Sequence, residues 1–195
     1  MARGRPREFD IDEALDAAMS VFWRYGYEGA SLAALSEAMG INLPSLYAAF
    51  GNKEALFTRV VDRYIEKPAS YLLRALKQPT ARLVVEKALS GAIDMLSRPG
   101  AGDGCLLVHG ALAGGPAVEG IRRQLAERRA MAEAAVRKRM QLAREQGDLP
   151  PDIDPAQLAR YLMTVIWGLS VQAAGGMSRR ELKQTAQFAI RAMNL

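Results

Sequence analysis

Residues 41–57 read INLPSLYAAFGNKEALF, which describes two short helices separated by a Gly-Asn break. Pro44 falls in the first turn of the first helix, where a missing N–H removes no intrahelical hydrogen bond. Asn42 and Asn52 each precede a helix, at the position where an asparagine side chain caps free backbone N–H groups. The stretch therefore predicts one helix that ends at Gly51 and a second that runs from Lys53 towards Pro68.

The first of these helices has two different faces. Leu46 and Phe50 are four residues apart, so they point the same way and are expected to pack on neighbouring helices. The outward face is compact and carries Leu43, Pro44, Ser45, Tyr47 and Ala48. Small or flat side chains let a helix backbone approach the base edges in the major groove. The pattern indicates a helix that reads double-stranded DNA.

The preceding residues supply the rest of such a reader. Ser31 is placed to cap a helix with an inner stripe of Leu32, Leu35 and Met39, and Gly40 makes the turn into the next helix. Two short helices joined by a few residues have the dimensions of a helix-turn-helix. Upstream, the spacing predicts a helix over about 12–25 that is ended by Gly26, with an inner stripe of Leu15, Ala18, Phe22 and Tyr25.

Further residues around this unit are candidates for phosphate contacts. Lys53 and Ser31 each stand at a helix N-terminus, where a polar side chain and free N–H groups together favour an anion. Arg3, Arg5 and Arg7 are interleaved with glycine and proline, which indicates a flexible arm able to enter a minor groove. The alternative for this arm is a solvated, disordered tail.

The stretch GYEGASLAALSEAMGINLPSLYAAFGNKEALF, residues 26–57, closely resembles the DNA-binding module of the tetracycline-repressor (TetR) family of bacterial regulators. The shared features lie within about residues 9–60 and are the Gly26–Gly29 corner, Ser31, Leu35, Gly40, Leu46-Tyr47, Phe50, Asn52-Lys53 and Leu56-Phe57. GRPREFD and AMSVFWRYGYE are similar to one branch of that family, whose members include a copper-responsive regulator. Ala33, Ala34 and Ala49 depart from the family pattern, because many members place polar or aromatic base readers there.

The resemblance implies an all-α homodimer in which each subunit joins a DNA-reading head to a ligand-binding body. It assigns DNA contacts to Ser31, Leu43, Pro44, Ser45, Tyr47 and Lys53. Residues 1–52 are then the arm and a three-helix helix-turn-helix domain, and residues 53–195 a helical ligand-binding and dimerisation domain, with the helix from Lys53 connecting them. The implied function is a repressor that an unknown small-molecule effector releases from a palindromic operator, with no cofactor.

Helical periodicity continues through the rest of the chain, with helices predicted at about 80–97, 105–113, 116–146, 155–174 and 179–193. The helix at 155–174 is apolar on two sides, which favours packing both on its own core and on a second copy. The predicted dimer interface is a four-helix bundle that uses Ile166, Trp167, Ser170, Ala174, Leu182, Ala186, Ala189, Ile190 and Met193. The alternative is a central helix of a monomer.

Cys105 and His109 are the only cysteine and the only histidine in the chain, and they stand four residues apart. We expect them to line a cavity for an organic ligand, together with Met95, Leu106, Met131 and Tyr161. The alternative is a metal or redox sensor built on Cys105 and His109, but two ligands are too few for a closed metal site.

The charge distribution does not by itself favour DNA. The net charge is +5, but residues 1–67 hold 8 Lys and Arg against 10 Asp and Glu, and residues 68–195 hold 18 against 11. The acidic balance of the first part supports an alternative function, a dimeric helical binding module without DNA affinity. The DNA assignment therefore depends on the helix-turn-helix pattern.

Other function classes are disfavoured by composition. A single histidine, a single cysteine and the lack of a phosphate-binding glycine loop argue against an enzyme. The uncharged run at 161–178 contains polar residues and a glycine pair, which predicts a helix buried in protein and not a membrane span. One cysteine and an N-terminus without an apolar signal core favour the cytoplasm.

Overall fold

The computed structural model describes residues 9–98, 104–111 and 118–195, and these ranges contain α-helices and no strand. The all-α prediction is therefore confirmed. The helices are α1 (Ile11–Gly29), α2 (Leu32–Met39), α3 (Leu43–Phe50), α4 (Lys53–Glu66), α5 (Tyr71–Ala75), α6 (Ala81–Leu96), α7 (Leu106–His109), α8 (Glu119–Glu145), α9 (Pro155–Ala174) and α10 (Arg179–Ala192).

Side-chain caps set the starts of the first four helices. Asp10 accepts hydrogen bonds from two backbone N–H groups of α1, and the predicted caps Ser31, Asn42 and Asn52 each accept one, from α2, α3 and α4 respectively. Gly40 ends α2 in the left-handed conformation, with a φ of 64°. These short helices thus begin and end close to where the sequence predicted.

The end of α1 differs from the prediction in one respect. Gly26 does interrupt the helix, with a φ of 67°, but a further turn continues to Gly29. Tyr25, predicted to point inward, is 54% exposed. The prediction is wrong for Tyr25, whereas Leu15, Ala18 and Phe22 of the same predicted stripe are buried.

The core of the N-terminal three-helix unit is apolar and partly aromatic. Leu35, Leu46 and Phe50 are buried as predicted, and they belong to the same core as Phe22 and Phe57. The rings of Phe22 and Phe57 meet edge to face, with centroids 4.9 Å apart. This core fixes α3 on α1, α2 and α4, so the opposite face of α3 is held outward.

The connecting helix α4 is tied to α1 by ion pairs as well as by packing. Arg63 is buried and pairs with Asp12 at 2.8 Å and with Asp16, and Lys67 lies 3.0 Å from Asp16. Hydrogen bonds from Arg63, followed by those from Lys67, lower the pKa of Asp16 from 3.8 to about 2. These ion pairs therefore add to the packing that holds α4 against α1.

The Asp16→Asn variant is expected to be less stable than the wild type at pH 7, because it loses the ion pair with Arg63. The expected loss is only about 1 kcal/mol, because solvent screens the half-exposed carboxylate of Asp16. The folded pKa of Asp16 lies below its unfolded value of 3.8, so its contribution is complete above that pH and is lost as the pH falls towards 2. Urea denaturation at several pH values measures the difference. A difference that stayed constant down to pH 2 would contradict this origin.

The C-terminal part is a helical bundle around α9. This helix packs against α8, α6 and α10, and its Leu158, Leu162 and Leu169 are buried. The short helix α5 and the 3-10 turn before it, Pro68–Ser70, were not predicted, because five residues are too few to show helical periodicity. No helix among the described residues is long and apolar enough to span a membrane.

The predicted dimer interface requires correction. Six of its residues are buried in the core of a single subunit and present no free surface, namely Ile166, Ser170, Leu182, Ala186, Ala189 and Met193. The prediction is wrong for these six, because α9 packs on α6 and α8, and α10 packs on α6 and α9. Trp167, Ala174 and Ile190 are half-buried, and their place in an interface stays a prediction.

Candidate functional site

The outward face of α3 is a small, uncharged surface. Leu43 is 39% exposed and Tyr47 46% exposed, Pro44 and Ala48 are also exposed, and Ser45 is half-buried. Leu46 and Phe50 on the other side of the same helix are buried. The structure therefore brings together the five residues predicted to face DNA and leaves them open to a partner.

The two predicted phosphate contacts lie at helix N-termini beside this face. The Ser31 hydroxyl oxygen accepts the N–H of Ala34 at 3.0 Å, so its own hydrogen is available to donate. The Lys53 amine lies 4.7 Å from the centre of the Tyr27 ring, and burial lowers its pKa. Arg3, Arg5 and Arg7 lie outside the described residues.

A cavity of about 260 Å³ lies in the C-terminal bundle, between α5, α6, α8 and α9 and the residues that lead into α7. Exposed parts of Leu73 and Met131 lie in its wall, so it opens to solvent between α5 and α8. Its other lining residues are mostly apolar: Ile65, Ala69, Tyr71, Leu72, Leu76, Ala92, Met95, Leu96, Cys105, Leu107, Arg128, Ala132, Ala135, Met163, Ile166, Trp167 and Ser170. The cavity has the concave, apolar character of a small-molecule site.

Comparison with known proteins covers both parts of the chain. Residues 14–60 match the model of bacterial regulatory proteins of the tetR family, and residues 80–191 match a tetracyclin repressor-like C-terminal domain. The chain belongs to the TetR family. It is accordingly a helix-turn-helix transcriptional regulator, and its homologues are regulators as well.

Individual TetR-family relatives align with this regulator over almost its whole length. The transcriptional repressors ComR and BdcR of Escherichia coli K12 are 35% and 33% identical, covering 97% and 95% of this chain and 91% and 90% of their own. A cysteine mutant of the TetR family regulator CifR, solved in complex with 26-base-pair operator DNA, is 43% identical with a TM-score of 0.92. That alignment covers 96% of this chain and 99% of the CifR chain.

Half of the predicted ligand-binding residues lie at the cavity of this TetR-family member. Met95, Cys105 and Met131 line it. Leu106 is buried in the core and does not line the cavity. Leu107 lines the cavity where Leu106 was predicted to do so, because α7 begins only at Leu106. Tyr161 is 43% exposed on the outer side of α9, so its predicted role is wrong.

Cys105 and His109 do not converge on one point. The Cys105 sulfur lies 3.2 Å from the Tyr64 hydroxyl, whereas the His109 ring lies against Gly104, and His109 is not among the cavity residues. Within the described ranges, no group of three or more His, Cys, Asp or Glu side chains is arranged to hold a metal ion. The prediction that both residues line one cavity is wrong for His109.

Part of the cavity wall was not predicted from the sequence. Tyr71, Leu72 and Leu76 come from α5 and its end, and Arg128 comes from α8. The run YLLRAL at 71–76 follows Pro68 and carries its apolar residues on one helical side, a signal that could have placed a short helix there. Ile166 and Ser170 were predicted at the dimer interface and instead line the cavity, and Trp167 lines it as well.

Proposed function

We propose that this regulator is a repressor that binds a palindromic operator as a homodimer and is released by a small-molecule effector. The observation that carries this proposal is the exposed face of α3, held outward by the buried Leu46 and Phe50. Leu43, Pro44 and Ala48 are compact enough for the helix to enter a major groove, and the Tyr47 hydroxyl reaches beyond them to a phosphate. The operator complex of the similar regulator CifR supports this assignment.

Phosphates beside the groove are contacted from the N-termini of α2 and α4. Ser31 donates its hydroxyl hydrogen to a DNA phosphate. The Lys53 amine leaves the Tyr27 ring and contacts a phosphate of the DNA backbone. The arm that contains Arg3, Arg5 and Arg7 enters the minor groove. These three arginines lie outside the described residues. These contacts set the register of α3 on the duplex.

A second copy packs on the outer faces of α9 and α10. Val171 is 49% exposed and Phe188 is 67% exposed, and Tyr161 lies on the same outer side of α9. Large apolar side chains exposed on adjacent helices support an interface between identical chains. A two-fold axis there presents two α3 helices to half-sites about 34 Å apart, one turn of DNA.

The effector binds in the cavity of the bundle and favours the conformation that does not fit the operator. An effector acts in this way only if it binds the released conformation more tightly than the operator-bound one. The cavity has no catalytic arrangement among its lining residues, which supports a role in binding and not in chemistry. Function on DNA and the single cysteine support a place in the cytoplasm.

Duplex binding measured by fluorescence anisotropy tests the proposal, with an inverted repeat from the DNA that flanks the gene as the probe. We expect two chains per operator and a steep fall in affinity with salt, with a logarithmic slope of about −4 or steeper, because several phosphates lose their counterions on binding. Affinity for the repeat no greater than for a scrambled duplex would favour a dimeric binding module without DNA specificity.

A further inference from the structure

The cavity wall carries a single charged side chain, and that charge is already paired. Among the lining residues in the described part of the chain, only Arg128 is ionised, and its guanidinium lies 2.5 Å from a carboxylate oxygen of Asp62 on α4. No Asp, Glu, Lys or His contributes to the described wall. A charged ligand would therefore lose hydration on entry without gaining a counter-charge.

The polar atoms of the wall are few, and two of them already have protein partners. The Ser170 hydroxyl oxygen accepts the backbone N–H of Cys105 at 2.7 Å, and the Cys105 sulfur lies 3.2 Å from the Tyr64 hydroxyl. Burial raises the pKa of both Cys105 and Tyr71, so both side chains stay neutral at physiological pH. Tyr71 adds a phenol O–H and Trp167 an indole N–H, and these groups can donate hydrogen bonds to one neutral oxygen atom of a ligand.

We propose that the effector class is an uncharged, largely apolar small molecule with one or two polar atoms. This proposal rests on the proposed function, since it names the ligand of the same regulatory site. A wall of Leu, Met, Ala and Ile side chains supplies the affinity through apolar burial. Arg128 at the wall offers an anion no uncompensated charge, because Asp62 already pairs with it.

Calorimetric titration of the wild-type protein with octanol, octanoate and octylamine tests this class, since the three probes share one alkyl chain. Octanol is expected to bind at least tenfold more tightly than either charged probe, and Ala132→Phe, which fills the cavity from α8, is expected to abolish octanol binding. Octanoate binding as tight as octanol binding, no octanol binding, or unchanged binding by Ala132→Phe would each overturn the proposal. Because no DNA is present, a failure of operator release does not affect this result.

A different set of contacts joins the cavity wall to the head. The 104–110 segment, which contains α7, carries two cavity residues, Cys105 and Leu107. The Gly104 carbonyl accepts the indole N–H of Trp23 at 2.7 Å, and the Gly110 carbonyl accepts the backbone N–H of Tyr27 at 2.8 Å. Both donors belong to α1, and the first of these hydrogen bonds to the head is accepted by the residue next to the cavity residue Cys105.

Trp23 also contacts the cavity wall by a second route. Its ring meets the Tyr64 ring edge to face at a centroid distance of 5.0 Å. The Tyr64 hydroxyl lies 3.2 Å from the sulfur of Cys105 and 3.3 Å from that of Met95, and both sulfurs belong to cavity residues. Trp23 is thus linked to the cavity wall in two ways, by the hydrogen bond to the Gly104 carbonyl and by the ring contact with Tyr64.

From these contacts we infer that Trp23 is the positioning residue that couples the cavity wall to the DNA-reading head. The inference rests on the proposed function, because it concerns how the two sites communicate. Coupling between two sites is reciprocal, so operator binding must change the behaviour of the cavity wall. Operator DNA that holds the head in one orientation also holds the 104–110 segment and keeps Cys105 covered.

The labelling rate of Cys105 by N-ethylmaleimide measures this reciprocal effect without an effector, since Cys105 is the only cysteine. Operator DNA is expected to slow labelling of the wild type by at least fivefold. Trp23→Phe keeps an aromatic side chain but removes the N–H, so DNA should slow its labelling by less than twofold while operator affinity stays within threefold. Tyr25→Phe, a control at an exposed aromatic side chain of the same helix, should retain the wild-type DNA effect.

Equal DNA effects on the labelling of wild type and Trp23→Phe would overturn the inference, as would operator DNA having no effect on wild-type labelling. The anisotropy assay is run in parallel on each protein. Wild-type protein that fails to bind DNA in that assay refutes the proposed function itself, whereas a loss of binding in Trp23→Phe alone contradicts only the inference, and the two failures are thereby distinguished.

Discussion

The Ala48→Glu variant is expected to bind the operator at least about 100-fold more weakly than the wild type, a loss of ~3 kcal/mol. Ala48 is exposed in the middle of the outward face of α3. A glutamate side chain there places a carboxylate against the negative potential of the duplex and holds the helix backbone away from the base edges. Because the side chain is exposed, the folded state should be affected by no more than about 0.5 kcal/mol.

Gln141→Glu is the matched control, because it adds the same charge on an exposed position of α8, in the body. Its operator affinity should remain within about threefold of the wild type, since a single distant charge is screened at physiological salt. Anisotropy titrations and thermal melts of the three proteins complete the comparison. Operator affinity that is equal in the two variants would mean that α3 is not the reading helix.

The Gly104→Ala variant is expected to lose about 3 kcal/mol of stability, through backbone strain and overlap together. Gly104 has a φ of 101°, and a methyl group there would lie 2.6 Å from the Nδ1 of His109 and 2.8 Å from the Ser170 carbonyl oxygen. The carbonyl belongs to the backbone of α9 and cannot move aside as a flexible side chain would. Thermal unfolding should show a decrease in Tm of about 6–12 °C.

Gly147→Ala separates the two causes of this loss. Gly147 also has a positive φ, 73°, but a methyl group there would meet nothing within 4 Å. It should therefore cost only about 1 kcal/mol, the strain of a left-handed alanine. A Tm decrease in Gly104→Ala no larger than in Gly147→Ala would show that the segment moves freely to admit the methyl group.

The DNA-reading unit could be predicted from the sequence because its signals are local. Ser31, Asn42 and Asn52 each cap a helix within three residues of their own position, and Gly40 makes its turn through its own φ. Leu46 and Phe50 face the core because residues four apart share a helix face. Such signals need no knowledge of distant chain segments.

The body could be predicted only in part, because its signals depend on which helices meet. The sequence shows that α9 is apolar on two sides but not which side faces α6, α8 and the cavity, so Ile166 and Ser170 were assigned to a partner chain. The register of α7 decided between Leu106 and Leu107 as a cavity residue. A difference of one residue is beyond what periodicity can resolve in a helix of four residues.

Attachment of the 104–110 segment to α1 has a consequence for the evolution and engineering of effector specificity. If the proposed coupling holds, substitutions at Cys105 or Leu107 are expected to alter the ligand site and the orientation of the head together, so a new ligand preference gained there would also change operator occupancy. Leu72, Leu76 and Ala135 also line the cavity, on α5, its end and α8, and lie outside that segment. A library of variants at those three positions would therefore be expected to change ligand preference while leaving operator binding in the absence of ligand unchanged.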